Sequence, residues 1–306
     1  MVGRVGKGGR RDANTVGFPA VSTALITPSF RGDFERCRLL LESVQRFVPT
    51  EVSHYVVVDR RDVALFEPVT GGRTQLCVVE DVVPRWLRRA PTWMPFGTSV
   101  WLNGRGRPVR NWMLQQIVKL STNVFASADE FIFVDSDVFF VAPWKPETGS
   151  TLFREEGPKL GTYFNTEWHH VAHRLLGLEA PTSEQIRVGY VGNLLSWRRD
   201  VLEQLQMRLQ QVSGRHWVQC LTGLPTLSEY VLYGVFVERV LGFEAAGQAP
   251  DNTIACATEW GTVPLGVAEL EQFRATIAPH QVSAMISAKS GTDVAAIRQV
   301  FMTPAR

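Results

Sequence analysis

Residues 131–134 of the chain, Phe-Ile-Phe-Val, form an uninterrupted apolar run that ends abruptly in Asp135-Ser136-Asp137. Aromatic and β-branched residues in a run this short are the composition of a buried strand. A strand of that kind needs a covering layer on each face, which points to an α/β arrangement. Two carboxylates at i and i+2 point to the same side of an extended backbone. Two unpaired charges that close together are costly to bury, so a positive group is expected between them. A hard divalent cation suits carboxylate oxygens. Magnesium and manganese also keep open positions for water and for a substrate's phosphate oxygens. Asp135 and Asp137 are therefore candidate metal ligands; the alternative is a surface turn carrying two solvated aspartates.

The residues before this run repeat its theme. Strands are predicted over 20–26, 54–58 and 75–79, with helices over 33–47 and 62–66 between them. The first helix carries Leu40, Leu41, Val44 and Phe47 at helical spacing. Strand-helix-strand alternation predicts a mostly parallel sheet flanked by helices. In such sheets ligands collect beyond the carboxyl ends of the strands, where Thr27, Asp59, Asp81 and Asp135 fall. Residues 84–110 are rich in proline, tryptophan, glycine and arginine and read as a long ordered loop or lid. Its arginines suit phosphates, and its tryptophans can stack on a sugar or base or cap the core. A helix is predicted over 111–126, with Met113, Ile117, Leu120 and Val124 on one stripe. Gln115, Gln116 and Lys119 lie on or beside another stripe.

Beyond Trp144 the alternation weakens. Residues 165–176 read as a helix with His169 and His173 at i and i+4, a spacing that can hold zinc. His170 stands where such motifs place a glutamate and no third ligand is evident, so the pair reads as a helix face or the rim of an acceptor site. Residues 188–197 are strand-like but interrupted by Gly189 and Gly192, which permit close approach of a ligand. Helices follow over 198–211 and 228–240, the latter capped by Ser228. A last strand covers 282–286, preceded by His280.

Composition narrows the class. With 306 residues, 45% hydrophobic and 20% charged, the chain has room for one large or two small globular domains. A net charge of +2 gives no reason to expect nucleic acid as a partner. Cys37, Cys77, Cys220 and Cys256 are far apart without a C-x-x-C, the usage of reduced thiols in a cytoplasm. No run of about 18 apolar residues predicts a membrane span. Residues 1–17 are basic and glycine-rich with no apolar core of a signal peptide, and read as a disordered tail. Nothing in the sequence specifies an oligomeric state. No phosphate-binding P-loop, dinucleotide fingerprint or G-x-S-x-G elbow occurs.

The order of these parts resembles the GT-A glycosyltransferases, which use nucleotide-sugar donors. FIFVDSDVFFV looks like that family's Asp-x-Asp element. QQIVKL (115–120) and ALITPSF (24–30) are similar to poorly characterised bacterial members. The glycine-containing loop 189–192, then Glu229, then His280 fall in the family's order. Two departures stand out: the family's acidic pair is Glu-Asp, whereas Tyr230 follows Glu229 here, and His280 lies in the unusual context APHQVSAMI.

The resemblance implies a GT-A domain over 18–306, with a Rossmann-like nucleotide-sugar-binding half over 18–145 and an acceptor-binding half over 146–306. It implies transfer of a sugar, as in hexosyltransferases, from a UDP- or GDP-sugar to a hydroxyl of an acceptor. It implies Mn2+ or Mg2+ held by Asp135, Asp137 and His280. Thr27, Pro28, Ser29, Asp59, Asp81, Gln116, Lys119, Asp135, Ser136 and Gly192 would surround the donor, and Glu229 would be the catalytic group. Two rival readings are a phosphatase of the haloacid dehalogenase type using the same aspartates, and a non-catalytic nucleotide-sugar-binding protein.

Overall fold

The strand β1 (Thr23–Pro28) is buried along its whole length, and the sheet is built outward from it. In this computed structural model, which describes residues 21–91, 100–146, 151–157 and 163–303, β2 (Ser53–Val58) pairs parallel with β1 and β3 (Thr74–Val78) parallel with β2. β4 (Glu130–Phe133) pairs parallel with the other side of β1. β5 (Val138–Phe140) leaves for a second sheet, and β6 (Leu195–Arg198) closes the edge antiparallel to β4. The order is β6-β4-β1-β2-β3. This is the mostly parallel α/β sheet that the strand pattern predicts, with an antiparallel edge that the pattern does not reveal.

Both faces are covered, which is why β1 and β4 read as continuous apolar runs. On one face, Leu40 and Val44 of α1 (Phe34–Phe47) pack with Leu25, Ile132 and Val134. On the other, Met113 and Ile117 of α2 (Asn111–Leu120) pack with Ala24, Ile26, Phe131 and Phe133. Alternate residues of each strand thus serve opposite layers. The chain builds β1, β2 and β3 in one direction, then returns to the far side of β1 to lay down β4. The strand order therefore reverses between β1 and β4, and a crevice is expected beyond their carboxyl ends.

A smaller sheet stands beside this one. β7 (Cys256–Glu259) pairs parallel with β8 (Ser283–Ile286), and β8 runs antiparallel to β5. The other helices that matter here are α3 (Tyr163–Leu176), α4 (Arg199–Ser213) and α5 (Glu229–Phe236).

Several boundaries differ from the sequence reading, each for a local reason. The helix expected over 111–126 breaks at Ser121, whose Oγ donates to the Ile117 carbonyl at 2.7 Å, and resumes as Thr122–Phe125. Such back-bonding competes with the helical ladder. The segment 84–110 is not simply a loop. Its described part contains an antiparallel meander of Arg88–Arg89, Trp101–Leu102 and Pro108–Val109 with Trp101 buried, while residues 92–99 lie outside the described residues. The strand expected over 188–197 is two pieces, Val188–Gly189 and β6, joined through Leu194 at φ 59. The expected basic tail, residues 1–17, also lies outside the described residues. All four cysteines are free. Among the described residues no helix is long and apolar enough to cross a membrane.

One core histidine makes the fold acid-sensitive. His54, on β2, is fully buried, with Nε2 2.9 Å from Thr27 Oγ1 across the strand pair. Burial, helped by Arg73, pushes its pKa down to about 3. The unfolded ring takes a proton near pH 6.5 and the folded ring only near 3. Between those values the unfolded state binds more protons, so stability falls as pH drops. The expected loss from this residue is about 2 kcal/mol at pH 5 relative to pH 7. Urea unfolding should show that component in the wild type and not in His54→Leu; parallel losses in both would assign the sensitivity elsewhere.

Candidate functional site

The aspartate segment leaves β4 at the reversal point, and its side chains divide between two surroundings. Asp135 continues the β4 alternation onto the α2 face, where its Oδ1 lies 3.0 Å from Lys119 Nζ. Lys119 is on the last turn of α2 and only 7% of its side chain is exposed. Its ammonium also meets Glu229 Oε1 at 3.1 Å and donates to Tyr230 Oη at 2.9 Å. Three acceptors saturate its three hydrogens. Burial alone would lower the Lys119 pKa, but Asp135, Tyr230 and Glu229 together hold it well above the ordinary lysine value.

Glu229 reaches this place because α5 begins there. Ser228 caps the helix, its Oγ accepting from the Val231 amide at 3.3 Å, and Gln116 Oε1 accepts from the Glu229 amide at 3.0 Å. The Glu229 side chain is 3% exposed, against 47% for Asp135. Burial raises the Glu229 carboxyl and Lys119 opposes the rise. From this position Glu229 reaches the crevice only through Lys119. To take an acceptor proton, as the sequence reading expects of it, Glu229 would have to give up this pairing.

Asp137 turns the other way. Its Oδ2 accepts from the Ala288 amide at 3.1 Å, just past the end of β8. Burial raises its pKa and the charge of Asp135 raises it further. Asp33, beside the start of α1, is also raised, first by burial; Ser136 Oγ donates to its Oδ2 at 3.3 Å. Arg36 partly offsets both acids, while its own hydrogen bonds go to the Ile286 and Thr292 carbonyls. Asp33 and Arg36 were not singled out in the sequence. The available signal was their place in the first helical turn after a strand's carboxyl end, next to the reversal point.

These residues fit a hard cation in part. Asp135 and Asp137 supply carboxylate oxygens, and burial together with the charge of Asp135 disfavours ionisation of Asp137, which added positive charge would offset. Among the described residues no group of three His, Cys, Asp or Glu is arranged to hold a metal. His280 does not complete one. In the β5/β8 register Met285 lies opposite Val138, which puts Asp137 by the carboxyl end of β8. His280 precedes the amino end of that strand and lines a separate cavity with Trp144 and Asn193. An antiparallel pairing separates the two groups that the linear order suggested would meet.

A cavity of ≈ 230 Å³ opens beyond the carboxyl ends of β1 and β2, walled by Pro28, Ser29, Asp59, Trp101, Trp112 and Gln115. Asp59 Oδ1 is buried there without a hydrogen-bond partner among the described residues, and Ser29 Oγ has only the Cys37 thiol beside it. The other Asp59 oxygen pairs with Arg89. Pro28, Ser29 and Asp59 thus line one cavity, and four other residues named with them in the sequence lie away from it. Thr27 is fully buried and bonded to His54. Asp81 is exposed and paired with Arg60. Gln116 is turned to α5, and its neighbour Gln115 lines the cavity instead, because one residue rotates the side chain by about 100° around a helix. Gly192 packs on Phe153 and Leu195, where a Cβ would come within 3.3 Å of the leucine, a packing reason for a small residue.

Two solved structures resemble the chain at a distance. One is the galactosyltransferase LgtC in complex with donor and acceptor sugar analogs, at 11% identity, 86% coverage of both chains and a TM-score of 0.45. The other is an active-site mutant of LgtC, at 12% identity, the same coverage and a TM-score of 0.43. Likenesses this remote assign no activity. A search of curated proteins found no match. The model of DUF6492, described as a family of unknown function, matches residues 18–257. Matched over most of its length, the chain belongs to the DUF6492 family.

Proposed function

We propose that the protein is a metal-dependent glycosyltransferase of GT-A type that moves a sugar, such as a hexosyl group, from a nucleoside-diphosphate donor to an acceptor hydroxyl. The observation that carries this reading is the cavity beyond the carboxyl ends of β1 and β2. It is lined by Asp59, whose buried Oδ1 has no hydrogen-bond partner among the described residues. Buried polar groups are normally satisfied, so this oxygen marks a hydrogen bond that a nucleoside would complete. The tryptophan wall of the cavity suits the flat face of a base. Gln115 and Val118 line the cavity, and Lys119, the next residue of the same helix, meets Asp135.

In this reading Asp135 and Asp137 hold Mn2+ or Mg2+ at the donor's diphosphate. When bound, the ion supplies stabilisation of negative charge on the leaving nucleotide. Lys119, itself saturated, fixes the position of Asp135, and Glu229 and Tyr230 hold Lys119. The phosphatase reading has no comparable support, since the aspartates follow the fourth strand of the central sheet in chain order and one is locked to a lysine.

Thermal shift with UDP, GDP and other nucleoside diphosphates tests the proposal. A rise in melting temperature is expected for one of them with Mn2+, and none in excess chelator. Absence of a shift with every nucleoside diphosphate would overturn it.

A further inference from the structure

The second feature that stands out lies away from the nucleotide cavity. A cavity of ≈ 440 Å³ opens against α3 and the C-terminal part of α5, walled in part by His169, His173, Arg187 and Arg239. It includes Val235, six residues along α5 from Glu229, which is about 9 Å of helix. His169 and His173 are only 5% and 8% exposed. His169 Nε2 lies 2.9 Å from the Val188 carbonyl and His173 Nδ1 lies 2.8 Å from the His169 carbonyl. A carbonyl only accepts, so each of those nitrogens carries the hydrogen. That leaves His169 Nδ1 and His173 Nε2 bare, and neither has a partner among the described residues. Burial keeps both rings neutral, with His169 pushed down to about 4. The bare nitrogens are therefore acceptors, and hydroxyl groups are their natural donors.

The charged groups add the second half of the specificity. Arg187 and Arg239 line the same cavity, and neither has an ion-pair partner among the described residues. Of the two acids in the wall, Glu238 accepts from Tyr190 Oη at 2.7 Å and from Arg154 Nε at 2.8 Å. Glu179 is exposed. The cavity thus combines two exposed guanidinium groups, of which Arg239 lies within electrostatic reach of Glu238, with two fixed hydroxyl acceptors. Guanidinium forks match phosphate and carboxylate oxygens.

We propose that this cavity binds a hydroxylated anion of about monosaccharide size, a sugar phosphate or a sugar acid, at a site separate from the nucleotide. The assignment does not depend on the glycosyltransferase reading.

Isothermal titration of the full chain with glucose 6-phosphate, glucuronate, inorganic phosphate and glucose tests it. At least one of the two hydroxylated anions is expected to bind at least tenfold tighter than both phosphate and glucose. Arg187→Gln and Arg239→Gln should each weaken that binding tenfold or more. His173→Phe should abolish the preference over inorganic phosphate. Nucleoside-diphosphate binding with Mn2+, measured on the same samples, should be unchanged in all three variants. Failure of both hydroxylated anions to bind, equal binding of glucose, or indifference to the arginine substitutions would overturn the proposal. Loss of nucleotide binding alone would count against the glycosyltransferase reading and leave this one standing.

Discussion

Replacing Lys119 with methionine is expected to destabilise the protein by roughly 3–5 kcal/mol, the usual cost of stranding one member of a buried ion pair. The stranded group is Glu229. Its carboxylate is almost fully buried, and Lys119 is the only side chain to which it is ion-paired among the described residues. Asp135 is half-exposed and can recover its solvation from water, so it contributes less to the loss. The Tyr230 hydroxyl also loses its donor. The double variant Lys119→Met/Glu229→Gln should recover most of the stability, because the uncompensated charge is gone and the methionine stem fills similar space. Urea unfolding of the two variants separates these terms. A single-variant loss below about 1 kcal/mol would mean that Glu229 is solvated or protonated and that the three-way contact does not hold the lysine.

Asp137→Asn is expected to behave in the opposite way, harming function while sparing the fold. Asparagine keeps a carbonyl-type oxygen for the Ala288 amide, so the local hydrogen bond survives. The wild-type carboxyl has a raised pKa in the fold, so its charge costs stability there relative to the unfolded chain. Removing the charge should therefore leave the melting temperature without metal unchanged or higher. With Mn2+ and a nucleoside diphosphate, the wild type should gain stability and the variant should not. Sugar transfer should fall roughly a hundredfold or more, the scale of losing a group that stabilises charge in the transition state. A variant that retains the manganese-dependent shift would remove Asp137 from the site. A variant that melts well below the wild type without metal would show that the carboxylate is structural.

The sequence by itself determined the strands and the edge of the sheet where chemistry collects. Thr23–Pro28 and Glu130–Phe133 are legible because a strand covered on both faces must be apolar at every position. Asp59 and Asp135 are legible because polar residues that follow such strands fall on one edge once the strands are parallel. The Ser228 cap is equally local, since the cap and the amide it serves are three residues apart.

Only the tertiary structure decided how those groups are used. Lys119 and Glu229 are separated by 109 intervening residues, and their meeting depends on how α2 and α5 pack, which no short-range pattern encodes. Gln115 and Gln116 differ by one helical step, and the packing of α2 sends one to the cavity and the other to α5. His280 follows the expected order along the chain, yet the antiparallel register of β8 carries it away from Asp137. Asp33 enters the acidic cluster because α1 starts where β1 ends beside β4. Apolar periodicity and capping act over a few residues, so they can be read along the chain. Register, helix packing and charge pairing join residues about a hundred or more positions apart, and their outcome depends on which contacts the folded core makes compatible.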